Sequence, residues 1–247
     1  MQALILAAGY ATRLYPLTEH QPKPLLQVGN KAIIEHILAK LEVVENINQV
    51  YVVTNAKFHQ AFTDWAKSRP TRLSLKVLND GTKNNDDRLG AVGDIHFVVE
   101  AEKVDDDFLV IAGDNLFGFS LVEFVDAFHA KKSSVVAFHD MKDIEKVRSK
   151  YGVGILKGDK VIDFEEKPAE PKSSLASTAC YLFKKKDLAH LKTVVAQKAD
   201  APGNLIRYLA QHSEVHGFVF DEHWFDVGSF ESLAEAKRMY EGKEYKR

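Results

Sequence analysis

The sequence of 247 residues predicts an α/β fold. Short apolar runs alternate with amphipathic segments of helical period, and several runs stop abruptly at glycine. That alternation gives βαβ units, hence a Rossmann-like three-layer sandwich whose mixed sheet is mainly parallel and carries helices on both faces. A third observation adds a small antiparallel element. Within 151–168, two strand-like pieces flank Gly158-Asp159, a hairpin signal.

The elements follow in order. Ala3 to Ala8 is a buried strand ended by Gly9, and Ile33 to Val44 carries apolar residues at helical spacing. Gln49 to Thr54 is a second buried strand, Phe58 to Ser68 a helix, and Leu73 to Leu78 a strand. Asp94 to Ala101 reads as a helix. Phe108 to Ala112 is a strand cut off at Gly113, Leu121 to Ala130 a helix, and Ser134 to His139 a strand. After the hairpin, Ser177 to Phe183 and Val215 to Phe220 return as strands. The segment after Ser229 is an amphipathic helix with a charged end expected to fray. One domain over 1–247 is expected, with ligands at the carboxyl ends of the strands.

Composition narrows the function. At 45% hydrophobic, 28% charged and net charge -2, the chain has no bulk cationic surface for nucleic acid, so phosphate must be held by a few placed cations. The lone Cys180 excludes an internal disulfide and sits in an apolar run, reading as a small buried hydrophobe rather than a nucleophile. The N-terminal apolar run lacks the basic region of a signal peptide, and no run approaches the roughly 20 residues of a membrane span. No membrane partner is expected, and the expected location is cytoplasmic.

The chemistry concentrates in four motifs. The first strand runs into Ala7-Ala8-Gly9, where backbone N–H groups can approach an anion, with Arg13 and Lys23 close behind to add fixed charge. No three-glycine dinucleotide fingerprint and no Gly-Lys-Ser/Thr loop follows, which argues against a nicotinamide oxidoreductase or a P-loop enzyme. Asp114 follows strand and glycine in Gly113-Asp114-Asn115, a place for a metal ligand or equally a turn cap. Asp226 precedes Val227-Gly228-Ser229, where an isolated Asp is ordinarily a turn residue. Glu165-Glu166-Lys167-Pro168 by itself reads as a solvated charged turn. Asp105-Asp106-Asp107, the only acidic run resembling a glycosyltransferase metal pair, precedes its strand, where a connection is solvated.

Taken together, Leu6-Ala7-Ala8-Gly9-Tyr10-Ala11-Thr12-Arg13-Leu14, Pro16-Leu17-Thr18 and Pro22-Lys23-Pro24-Leu25 closely resemble the signature of the nucleoside-triphosphate-transferase family, especially glucose-1-phosphate thymidylyltransferases and their uridylyl and cytidylyl relatives. The resemblance implies an enzyme joining a nucleoside triphosphate to a sugar-1-phosphate with Mg²⁺ as cofactor. It places Leu6, Ala7, Ala8, Gly9, Thr12 and Arg13 around the nucleotide, makes Arg13 and Lys23 catalytic, and makes Asp114 and Asp226 ligands of one ion. It places Gly152, Glu166 and Lys167 on the sugar phosphate. The family's Gln-Pro-x-Pro-x-Gly-Leu-Ala segment is replaced by Asn79-Asp80-Gly81 and Arg88-Leu89-Gly90-Ala91, so Asn79, Arg88 and Gly90 take the base-reading positions. Arg88 could instead pair with Asp86 or Asp87. This departure leaves the base open: dTTP or UTP with glucose-1-phosphate is the first expectation. A cytidylyltransferase acting on a sugar phosphate or a phospho-alcohol, or a non-catalytic homologue, is the alternative. Oligomeric state is not fixed by the sequence.

Overall fold

The computed structural model describes residues 1–197 and 201–244. In chain order the elements are β1 (Gln2–Leu6), β2 (Gln27–Val28), β3 (Lys31–Ala32), α1 (Ile33–Glu42), β4 (Gln49–Thr54), α2 (His59–Lys67), β5 (Ser74–Asn79) and α3 (Gly90–Glu102). Then come β6 (Phe108–Ala112), β7 (Asn115–Phe117), α4 (Leu121–Lys131), β8 (Ser134–Asp140), β9 (Gly152–Lys157), β10 (Lys160–Glu166) and β11 (Leu175–Phe183). The chain finishes with α5 (Leu191–Ala196), α6 (Pro202–His212), β12 (Val215–Phe220), β13 (Trp224–Asp226) and α7 (Phe230–Glu244). The end expected to fray, 245–247, lies outside the described residues.

Nine strands form one mixed sheet in the order β5-β4-β1-β6-β11-β8-β12-β10-β9. β5, β4, β1 and β6 are parallel neighbours, with Leu6 paired to Val53 on one side and Ala112 on the other. β11 runs antiparallel between β6 and β8. The expected three layers are present. In β1 and β4, Ala3, Ile5, Val50 and Val52 face one core with α1, α2 and α4, whereas Leu4, Tyr51 and Val53 face a second core with α3, α5 and α6. The two-residue side-chain period of a strand covered on both faces explains why these runs read as continuously apolar. Phe119 anchors the first core, its ring 4.4 Å from that of Phe117 and 4.5 Å from that of Phe220.

The structure differs from the sequence reading in three places. The β9–β10 hairpin joins the main sheet as its edge instead of packing on it, and the separate antiparallel pieces are the ribbons β7–β13 and β2–β3. α3 begins at Gly90 rather than Asp94, since polar and small residues fill its first turn and hide the helical period. The helices α5 and α6 had no counterpart in the sequence reading. Cys180 is fully buried, and burial pushes its thiol up, consistent with a packing role.

Candidate active site

The site grows from the ends of β1 and β6. Past their last pair, the Gly113 N–H bonds the Leu6 carbonyl at 2.8 Å, and a Cβ at position 113 would stand 2.8 Å from that same oxygen. Glycine permits this close approach, and the next residue, Asp114, emerges at the strand's carboxyl end. Asp226 arrives from the far end of the chain. β13 pairs antiparallel with β7, placing Asp226 opposite Asn115, and the Val227 N–H bonds the Asp114 carbonyl at 3.1 Å. Burial, then the charge of Asp114, pushes the Asp226 carboxyl up to about 6, while Lys23, Lys167 and Arg13 act in the opposite sense. The three cations therefore converge on the two carboxylates.

Short 3-10 turns deliver two of these cations. Lys23 opens the turn Lys23–Leu25 and its Nζ reaches Asp114 Oδ2 at 2.5 Å. Arg13 lies in the turn Thr12–Leu14, entered through Ala11 at φ 49, a left-handed conformation held by the Thr18 hydroxyl donating to the Ala11 carbonyl at 2.7 Å. Lys167 is also left-handed, at φ 46, with its N–H on the Tyr151 carbonyl at 3.2 Å. Non-glycine residues in this region are uncommon and gather at functional sites.

Two cavities meet at these groups. One, of about 280 Å³, is bordered by Arg13, Gly152, Glu166, Lys167, Asp114 and Asp226, bringing together all the expected sugar-phosphate and metal residues. A Cβ on Gly152 would stand 2.5 Å from Cζ of Phe164, so this wall of the cavity is backbone by necessity. Tyr151 and Trp224, with ring centroids 4.9 Å apart, form an aromatic side. Asn115 ties the floor, donating to the Thr178 carbonyl and accepting from Trp224 Nε1 at 3.3 Å.

The second cavity, of about 530 Å³, is lined by Leu6, Ala8, Gly9, Arg88 and Gly90 from the expected nucleotide set. Ala112, Asp114, Glu166, Lys167, Ala179 and Pro202 border both cavities, so two ligands could meet at this seam. Ala7, buried at 3% exposure, continues the strand with its N–H on the Val53 carbonyl, and Thr12 is exposed; neither lines either of these two cavities. Asn79 is exposed and turned away, its Oδ1 accepting from the Gly81 N–H at 2.9 Å, and Asp80 takes its place in the lining. Arg88 donates to Asn85 Oδ1 at 3.3 Å, while Asp87 accepts from the backbone N–H groups of Lys83 and Asn84.

Asp114 and Asp226 suit a hard divalent cation. Among the described residues no group of three or more His, Cys, Asp or Glu side chains could hold a metal, but Mg²⁺ commonly takes one or two carboxylates and completes its shell with phosphate and water. The ammonium of Lys23 on Asp114 already shows that the position draws positive charge.

Sequence reasoning missed Asn115, Tyr151 and Trp224 as site residues, although each stands inside or beside a motif it singled out. It also missed Asp80, Asp94 and the start of α6 at Pro202 and Gly203, which line the cavities. No sequence signal pointed to α6, because its place over the site depends on packing against β10 and α3.

Known proteins resemble this chain in sequence and in fold. The model of the family described as nucleotidyl transferase matches residues 2–243. The bifunctional protein GlmU of Methanocaldococcus jannaschii is 31% identical over 241 residues, 96% of this chain and 54% of that protein. A glucose-1-phosphate adenylyltransferase of Thermotoga maritima is 29% identical over 254 residues, 95% of this chain and 59% of that protein. The chain thus spans roughly half the length of the curated relatives it matches. A solved Bacillus anthracis chain described as a glucose-1-phosphate thymidylyltransferase superposes with a TM-score of 0.81 at 25% identity, covering 98% of this chain and 95% of that one. A UDP-glucose pyrophosphorylase bound to UDP-glucose shares the fold at a TM-score of 0.84 and 22% identity, covering 98% of each chain.

Proposed function

The chain belongs to the nucleotidyl transferase family, and from that premise we propose that it joins a nucleoside triphosphate to a sugar-1-phosphate, forming an NDP-sugar and pyrophosphate. One observation carries this reading: two cavities share Asp114 and Lys167, with Asp226 and Arg13 lining the smaller one and Lys23 paired to Asp114. In the reaction a phosphate oxygen of the acceptor attacks the α-phosphorus in line. The new P–O bond forms as the bond to the β-phosphate bridging oxygen breaks, and pyrophosphate leaves with that electron pair. A phosphate is already a competent nucleophile, so no protein base is required.

The protein's share is placement and charge. Lys167 faces the acceptor phosphate, Glu166 accepts hydrogen bonds from sugar hydroxyls, and the backbone at Gly152 lets the sugar ring approach. Arg13 and Lys23 offset negative charge on the triphosphate and on the departing pyrophosphate. Asp114 and Asp226 would hold Mg²⁺, which neutralises phosphate charge and orients the oxygens when bound. In a dry site two unit charges 4 Å apart repel by up to ~20 kcal/mol, an upper bound that explains why cations crowd this seam.

The relatives' names favour glucose-1-phosphate as acceptor and, by sequence resemblance, dTTP or UTP as donor. The test is pyrophosphate release with Mg²⁺, crossing five nucleoside triphosphates with a panel of sugar-1-phosphates and phosphocholine. Release dependent on one donor and one acceptor together supports the reading. Silence across the grid from folded protein would overturn it.

A further inference from the structure

The larger cavity holds a second pair of acids, away from the seam. Asp80 follows β5 and Asp94 lies one turn into α3, and both line the cavity. Asp94 is only 7% exposed, and its Oδ1 has no hydrogen-bond partner. Its carboxyl lies within hydrogen-bonding range of that of Asp80. Asp80 is fixed in turn, its Oδ1 accepting from the Thr82 N–H at 2.8 Å and the Thr82 hydroxyl at 2.7 Å.

Two carboxyl groups in contact do not both ionise. Burial, then the charge of Asp80, pushes Asp94 up to about 8, so Asp94 keeps the proton and donates it to Asp80. With that proton spent between them, the pair turns only acceptor oxygens to a ligand. A buried acceptor with no partner is costly, and a ligand bearing N–H groups relieves the cost. Cytosine N4, adenine N6 and guanine N2 carry such groups. Uracil and thymine offer a single N–H, at N3, set between two carbonyls whose lone pairs oppose the acid pair, whereas an amino group brings two hydrogens to the paired acceptors. Arg88, on the same cavity, brings donors that suit the ring nitrogen or carbonyl beside the amino group.

We propose that Asp80 and Asp94 form an acceptor site for the exocyclic amino group of the nucleobase, so that the donor is an amino-bearing triphosphate rather than dTTP or UTP. The inference rests on the reading that the larger cavity holds the nucleotide.

Equilibrium titration of the full chain with the Mg²⁺ complexes of CTP, ATP, GTP, UTP and dTTP, without acceptor, tests it. Expected is a preference of at least ~10-fold for an amino-bearing base, with the cytosine and purine arms identifying which. In Asp94→Leu this preference should collapse toward unity. In Asp94→Asn, whose amide keeps one acceptor oxygen and an N–H for Asp80 as the protonated acid does, it should be retained. A variant that merely misfolds would weaken all five nucleotides alike, and a melting curve exposes it. Equal binding of all five, or preference for UTP or dTTP with pyrophosphate release intact, overturns the base assignment and leaves the transferase reading standing. Failure of every triphosphate to bind overturns both.

Discussion

Asp114 and Asp94 are carboxylates that the fold treats in opposite ways. Asp114 sits in the cationic seam with Lys23 on its Oδ2, so Asp114→Asn should keep the fold and lower turnover by roughly 10²-fold or more. Pyrophosphate release at saturating Mg²⁺, beside an unchanged melting curve, checks this; undiminished turnover would remove Asp114 from the site. Asp94 is buried against another acid, and its carboxyl stands at about 8 rather than the ordinary 3.8. The native state therefore holds a proton that the unfolded chain releases above about pH 4, and stability falls as pH rises from there toward 8. Asp94→Asn removes that loss. It should be more stable than the parent by on the order of 1–3 kcal/mol at pH 9 and indistinguishable at pH 4. Denaturant unfolding at both pH values decides, and a gain of equal size at both would contradict the shared-proton account. That variant should gain stability at high pH while keeping the base preference, because its amide presents the same acceptor and donor as the protonated acid. Asp114 and Asp226 were legible in sequence because motifs flank them. Asp94 was not, because nothing in a helical run announces that a residue from another strand will face it.

At the scale of elements, the ribbon β7–β13 and the edge strands β9 and β10 build the smaller cavity. Gly152 opens β9, where any side chain would meet the Phe164 ring. Gly152→Ala should cost about 1–3 kcal/mol through overpacking, and should raise the KM for the acceptor more than that for the triphosphate. An equal rise in both would mean that the strand, rather than the cavity wall, had been damaged. The strands were legible because each is a short apolar run, and β1 and β6 run into Gly9 and Gly113. The ribbon was not, since three-residue strands such as Trp224–Asp226 carry no measurable alternation. α6 escaped for another reason: its start at Pro202 reads as a helix signal only once the chain around it is placed.

For the whole molecule, the two cavities lie across the carboxyl ends of the parallel strands, so ligands join elements from both halves of the sequence. A triphosphate that binds only the folded state at 100 times its Kd should stabilise it by about 2.7 kcal/mol. For a chain of this size that is a rise in Tm of roughly 5–10 °C. A thermal melt with and without nucleotide and Mg²⁺ measures it. No shift at concentrations that support turnover would mean that the larger cavity does not take the nucleotide. Phe119 tests the core independently. Its ring packs on Phe117, Phe124 and Phe220, and Phe119→Ala should cost about 3–5 kcal/mol without altering the ratio of nucleotide affinities.

By itself the sequence determined the layered α/β architecture, most strand positions, and the cations and carboxylates of the seam. These are written locally, as apolar periodicity, glycine stops and short ordered motifs around Arg13, Lys23, Asp114, Lys167 and Asp226. The tertiary structure decided what those motifs face: that Asp80 rather than Asn79 enters the larger cavity, that Asp94 meets it there, and that α6 borders both cavities. The physical reason is separation along the chain. Periodicity and turn chemistry act over a few residues, whereas a contact such as Asp114 with the segment around Asp226 is fixed only when sheet register and helix packing bring distant strand ends together.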